Sequence, residues 1–178
     1  MANLVKNSNM VFDLALLTGL EECWHDMLDH CTHNRHPPLI PSEFAVILST
    51  KAFTSKKADL KIVTELYTSA FELRFGQADR LEYAFLDWTD DDLGRLIQVI
   101  ESGALPLVEK LFLPGNQITD VGMQALATTV HSGYLPSIQT IIVGNNPGRG
   151  SLVIEAVKQQ LERRESESKT EENAENQR

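Results

Sequence analysis

A 30-residue offset constrains this chain more than any other feature of its sequence. Ser102–Asn116 aligns without gaps on Ser132–Asn146: the Ser-Gly pair, the Leu-Pro pair and the closing Asn are identical. The apolar residues Val108, Leu111 and Leu113 return as Ile138, Ile141 and Val143. One step back, Leu81 and Tyr83 take the apolar places, and Thr89-Asp90 falls beneath Thr119-Asp120. The period covers about two and a half units, from near Ala78 to Leu161. A period of this length makes each unit one supersecondary element, which can bury its apolar face only against its neighbours. Within a unit, alternation at 111 and 113 predicts a short strand with one buried face. Met123, Leu126, Ala127 and Val130 then recur at helical spacing, and Gly133 stands where a helix would end. Leu93, Leu96, Ile97 and Ile100 before Gly103 repeat the arrangement one unit earlier, and Val153, Ala156, Val157 and Leu161 supply the last helix.

The shared core, Val108-x-x-Leu111-x-Leu113-x-x-Asn116-x-Ile118, resembles the leucine-rich repeat, and its continuation Thr119-Asp120-Val121-Gly122-Met123-Gln124-Ala125-Leu126 resembles the longer, ribonuclease-inhibitor-like subtype. The resemblance covers roughly 80 residues. It departs at Leu86, which replaces Asn in the first unit, and at Gly148, which replaces an apolar residue in the last; terminal units are expected to be atypical. The expected fold class is therefore α/β: a short leucine-rich-repeat solenoid, with parallel strands on one face, helices on the other and an N-terminal helical cap. Asn116 and Asn146 are its structural repeat asparagines, placed so that their amides satisfy backbone groups otherwise buried unpaired.

So few units need a cap, since about three are usually required for stability. Residues 1–75 are expected to provide it. Thr18 with Glu21 predicts a helix over 19–32 with the stripe Leu20, Cys23, Trp24, Met27 and Cys31. Pro37-Pro38-Leu39-Ile40-Pro41 breaks the chain, and Ser42 caps a second helix through Phe44, Ile47 and Leu48. A third, over 56–73, carries Leu60, Val63, Leu66, Tyr67 and Ala70; the 30-residue shift places Val63 and Leu66 on Leu93 and Leu96, as in a degenerate zeroth unit. Residues 76–161 are the repeats. Residues 162–178 hold no aliphatic residue larger than Ala174 and are expected to form a disordered acidic tail, because they cannot offset their ordering entropy by burial.

Composition narrows the function classes. The 178 residues include 16 Lys or Arg against 25 Asp or Glu, a net charge of -9, which disfavours nucleic acid or an anionic membrane as the main partner. No run of 18 apolar residues predicts membrane insertion. The polar start and the two cysteines lead to the expectation of a cytoplasmic or nuclear protein without a disulfide scaffold.

Chemistry-bearing clusters read as structural. Cys23, His25, His30, Cys31, His33 and His36 contain zinc-type ligands, yet the cysteines lie eight apart on one helical face instead of in short-spaced pairs, so no metal is expected. Asp87-Trp88-Thr89-Asp90-Asp91-Asp92 lacks the Gly and Glu of a calcium loop and reads as the cap and first turn of a helix beginning near Asp90. Gly144–Gly150 lacks the Lys-Ser/Thr of a phosphate loop, and no Gly-x-Ser-x-Gly elbow occurs. Neither a catalytic residue nor a cofactor is expected.

The strand face remains. Residues alternating with the buried ones stack into columns: Arg80, Lys110 and Thr140; Glu82, Phe112 and Ile142; Ala84, Pro114 and Gly144. Apolar Phe112 beside Ile142 on an exposed face points to a non-catalytic protein-protein interaction or scaffold module, with Arg80, Glu82 and Lys110 orienting the partner. The competing account of the pair is that the N-terminal segment folds over it. Two alternative functions stand beside this one. Some ribonuclease-inhibitor-type repeat proteins regulate small GTPases, although no catalytic Arg maps onto this chain; and an open repeat edge could dock in a larger assembly.

Overall fold

The structure is a computed structural model that describes residues 10–12, 16–20, 22–51 and 56–175. Its centre is a parallel sheet built from the predicted strands: β3 (Arg80–Glu82), β4 (Lys110–Phe112) and β5 (Thr140–Ile142), in the order β3-β4-β5. Register follows the 30-residue offset residue for residue. Arg80, Lys110 and Thr140 are partners, as are Leu81, Leu111 and Ile141, and Glu82, Phe112 and Ile142. Parallel strands need a crossover, here a helix after each strand. These helices are α4 (Asp90–Glu101), α5 (Asp120–His131) and α6 (Ser151–Glu175), and α5 packs against both of its neighbours.

The expected faces of α4 and α5 are the buried ones: Leu93, Leu96, Ile97 and Ile100, then Met123, Leu126, Ala127 and Val130. Gly103 and Gly133, at φ 76° and 80°, follow the two helix ends. Leu81, Leu111 and Ile141 face the helices, so strands and helices enclose one core. In α6, Val153, Ala156 and Val157 are buried as expected, while Leu161 is half-buried and Gln160 is buried instead.

Asn116 is buried in this arrangement with every amide valence used. Its Nδ2 donates to the carbonyls of Tyr83 (2.7 Å) and Leu113 (2.9 Å), and its Oδ1 accepts from the N–H groups of Leu86 (2.9 Å) and Trp88 (3.2 Å). Asn146 repeats the pattern one unit on: Nδ2 donates to Leu113 and Val143, both at 2.9 Å, and Oδ1 accepts from Ile118 at 3.1 Å. Gly148, the departure in the last unit, donates its N–H to Ile118 (2.8 Å) so closely that a Cβ would strike the Thr119 backbone. Leu86, the departure in the first, is buried.

Four expectations outside the strand–helix units change. The helix expected over 19–32 is α1 (Trp24–Cys31), preceded by a two-stranded antiparallel pair's first member, β1 (Met10–Phe12), and followed by its second, β2 (Thr32–Asn34). Leu20 and Trp24 are exposed, as is Cys23; Met27 is half-buried and only Cys31 of that stripe is buried. Glu21 lies outside the described residues. Helix α2 (Pro41–Ser49) has Ile40 at its N-cap and Pro41 in its first turn, so Ser42 lies inside the helix and does not cap it. Helix α3 (Lys56–Gly76) does not keep the 30-residue register: Leu66 is 52% exposed. Its inward stripe is Tyr67, Phe71 and Phe75, one turn apart, and these rings join the core of the sheet. Phe44 of α2 stacks on Tyr67 with centroids 3.8 Å apart, and the Tyr67 hydroxyl donates to Leu39 at 2.7 Å. Aromatic bulk, not the aliphatic period, chose the face.

The fourth change concerns residues 162–178. Helix α6 continues to Glu175, so residues 162–175 are helical where a disordered tail is expected. Glu, Lys, Arg and Gln are good helix formers, Lys158 and Glu162 pair one turn apart, and Arg164 reaches back to the carbonyls of Pro136 and Ile138 (the latter at 2.6 Å). Residues 176–178 lie outside the described residues.

The two asparagines differ in burial, and that sets a test. Asn116→Ala strands buried N–H and C=O groups in two units and is expected to cost about 3–5 kcal/mol, against about 1–2 kcal/mol for Asn146→Ala, in urea unfolding. Equal losses would remove Asn116 from its place as the central tie.

Candidate interaction face

The columns expected from the sequence are present, because the register of the sheet is the offset of the sequence. Arg80, Lys110 and Thr140 are exposed, Glu82 and Phe112 half-buried, and Ile142 is 40% exposed. The first two columns interact. The Arg80 guanidinium lies over the Phe112 ring, 4.1 Å from its centroid, and pairs with the Glu82 carboxylate. An exposed contact of this kind is worth about 0.5–1 kcal/mol, enough to orient Arg80 but not to hold it against a competing partner. Apolar Phe112 and Ile142 stand beside each other, and Pro114 follows Phe112 on the same face.

The N-terminal segment meets this sheet at β3. Arg35, buried, donates from Nη2 to the Glu82 carbonyl, and its guanidinium sits 4.6 Å from the Tyr83 ring centroid. The Arg35 carbonyl accepts from the Trp88 indole N–H at 2.8 Å, and Trp88 stacks on Tyr83 with centroids 4.5 Å apart. Tyr83 N–H is bonded to Phe112 in β4, so the neighbouring Glu82 carbonyl points to the outer edge of the sheet, where Arg35 takes it. Burial lowers the pKa of Arg35 and pushes the Tyr83 phenol well up, so a cation rests on a neutral ring. In the last unit α6 binds the segment that leads into β5. From α6, Gln160 donates to Leu135 at 2.7 Å, and Arg164 donates to Pro136 and Ile138.

The acidic run also serves the units. Asp92 accepts from the Thr89 N–H at 3.0 Å, capping α4 as expected. Asp90 instead reaches the next unit, accepting from the Thr119 N–H at 2.8 Å and from its hydroxyl. Asp120 repeats this on Arg149, whose N–H lies at 2.7 Å and Nε at 3.1 Å. Among the described residues, no three His, Cys, Asp or Glu side chains gather as a metal-binding group; the side chains of His30 and His33 lie outside the described residues.

One residue of the face escaped the columns. Phe85 is 62% exposed and has φ 55°, in the left-handed region. The equivalent positions one and two units on, Gly115 and Asn145, are left-handed too, at φ 69° and 57°. Glycine and asparagine adopt this conformation readily; a bulky side chain carries a strain of roughly 1–2 kcal/mol. The Phe85 ring lies against Gly115, where an added Cβ would collide with it. The signal was in the alignment, as Phe against Gly and Asn at the same offset.

Compared with family models, curated proteins and solved structures, the chain matches none of them. Among the described residues no helix is long and apolar enough to cross a membrane.

The Asp120 carboxyl is held below the ordinary aspartate range chiefly by the Arg149 N–H, which outweighs the opposing desolvation, with the guanidinium charge and its hydrogen bond adding to the lowering. A lowered folded-state pKa stabilises the fold above the unfolded value of about 3.9 and loses that effect as the pH falls through the folded value. The melting-temperature advantage of the parent over Asp120→Asn should therefore be full near neutrality and shrink as the pH is taken below about 4. A difference that stays constant with pH would assign the effect to another group.

Proposed function

We propose that the chain is a short leucine-rich-repeat solenoid that works as a non-catalytic protein-binding or scaffold module, taking a protein partner on its strand face. The observation that carries this reading is the pairing of Phe112 with Ile142 across neighbouring strands, with apolar surface left open to solvent. Adjacent apolar side chains on an otherwise charged face are what a partner's buried contact needs. Lys110 and Arg80 at the starts of their strands, and Glu82 at the end of β3, orient the partner more than they bind it, since Arg80 and Glu82 already neutralise each other. The buried asparagine ties and the 30-residue register support the solenoid, with α2, α3 and Arg35 as its N-terminal cap. Docking through the far end of the array is the less favoured reading, because α6 packs on the last unit and its Gln160 and Arg164 bond the segment that leads into β5.

The test compares the parent with a Phe112→Ala, Ile142→Ala double variant in affinity purification with mass spectrometry. Neither side chain is fully buried, so the variant should melt within a few degrees of the parent while losing most of the co-purified protein. A folded variant that captures the same proteins in the same amounts refutes the strand face as the binding surface.

A further inference from the structure

We infer that the strand face takes an extended segment of a partner protein carrying one carboxylate and, two residues away, one large apolar side chain. This rests on the strand-face reading and specifies its partner. In a chain of net charge -9, the columns of the face hold two cations, Arg80 and Lys110, against one acid, Glu82. Arg80, Lys110 and Thr140 form a row of hydrogen-bond donors across three paired strands, and all three are exposed. Strands about 4.8 Å apart let neighbouring long side chains converge on one carboxylate, the acceptor that cations of this kind bind most strongly.

The chain does not use up this row itself. Glu82 takes only the Nη2 of Arg80, while a guanidinium carries five N–H donors. Both partners of that pair are open to solvent, where it is worth at most about 1 kcal/mol, so a second carboxylate can share Arg80 or displace Glu82. Among the described residues Lys110 forms no ion pair and the Thr140 hydroxyl no hydrogen bond.

Placement sets the spacing. Lys110 and Phe112 lie two residues apart on β4, as Thr140 and Ile142 do on β5, so the donor row and the apolar pair are about 7 Å apart along the strands. Side chains two apart on one face of an extended segment have the same separation. Arg80 joins the two rows, since its guanidinium lies 4.1 Å from the Phe112 ring centroid. An apolar side chain seated on Phe112 and Ile142 therefore drives water from beside the guanidinium, which strengthens the pairing of a carboxylate there. Asp79 and Glu109 directly precede Arg80 and Lys110, so an acidic tract continuing past the row meets like charge; the partner needs one acid, not a run.

A phage-displayed random peptide library panned on the full chain is the probe, followed by fluorescence polarisation of the consensus peptide. The expected consensus is one Asp or Glu two positions from a Leu, Ile, Phe or Trp. Lys110 is exposed, so Lys110→Glu should melt with the parent while weakening that peptide about tenfold. Replacing the peptide's acid by Lys should restore binding to Lys110→Glu and lose it on the parent. The Phe112→Ala, Ile142→Ala variant should weaken both peptides. Binding that fails on this double variant but is unchanged by Lys110→Glu overturns the carboxylate and leaves the strand face standing. Binding that fails on Lys110→Glu but is unchanged in the double variant overturns the apolar half of the partner. Equal binding to all variants overturns both this inference and the strand-face reading, and a consensus without an acid at that spacing, or no enriched peptide, overturns the proposed partner chemistry.

Discussion

The Asn116 side chain is the constraint from which the rest follows. A short parallel sheet leaves the chain turning away from each strand with backbone groups pointing into the core, where an unpaired N–H or C=O costs about 1–3 kcal/mol. One amide answers for four of them, two donors and two acceptors, and they belong to two successive units. That fixes the distance between units as well as the turn within each, and the sheet register then has no freedom left. Asp90 and Asp120 add a second tie of the same period in the same strand-to-helix turns, joining each helix start to the next unit. The columns of the strand face are the visible result.

A repeated tie says nothing about how to stop. The first and last strands each have an unpaired edge, and such edges invite uncontrolled pairing. Arginine meets the array at both ends. Arg35 donates a guanidinium N–H to the outward Glu82 carbonyl of β3, and Arg164 donates to the carbonyls of Pro136 and Ile138 in the segment that leads into β5. Arginine suits this because its fork carries several donors on a long apolar stem. The rings of Tyr67, Phe71 and Phe75 extend the core beyond the first unit, so the stabilising apolar surface is larger than the strand–helix units alone provide.

Legibility in the sequence followed the period. Strand register, the buried faces of α4 and α5, both asparagine ties and the cap at Asp92 were readable because each is a local rule applied at a fixed offset. Leu66 shows where that failed: extending the offset into α3 put it inward, while the fold turned Tyr67, Phe71 and Phe75 to the core, a choice made by ring volume across a non-repeated contact. Residues 162–175 failed for a different reason. Lacking apolar residues they cannot pack, but intrinsic propensity and one-turn pairs continue a helix that packing has already nucleated at Val153 and Val157. Arg35 and Arg164 were invisible because a cap is defined by what it meets in space, 47 and 26 residues away in the bonds to Glu82 and Ile138.

Phe85 joins the stability of the fold to its surface. It is flanked by another left-handed residue, Asp87, and the two N–H groups that Asn116 accepts are those of Leu86 and Trp88, directly after each of them. The strained turn is thus held by the same buried amide that sets the unit spacing. A loop left to itself would relax at Phe85 by leaving the left-handed region, and its ring would swing off Gly115. Tied on both sides of Asp87, and with the Trp88 indole fixed on Arg35, it has no such route. The strain is offset by hydrogen bonds the fold needs anyway, which is how a small array can carry a rigid exposed aromatic whose ordering is complete before any partner arrives.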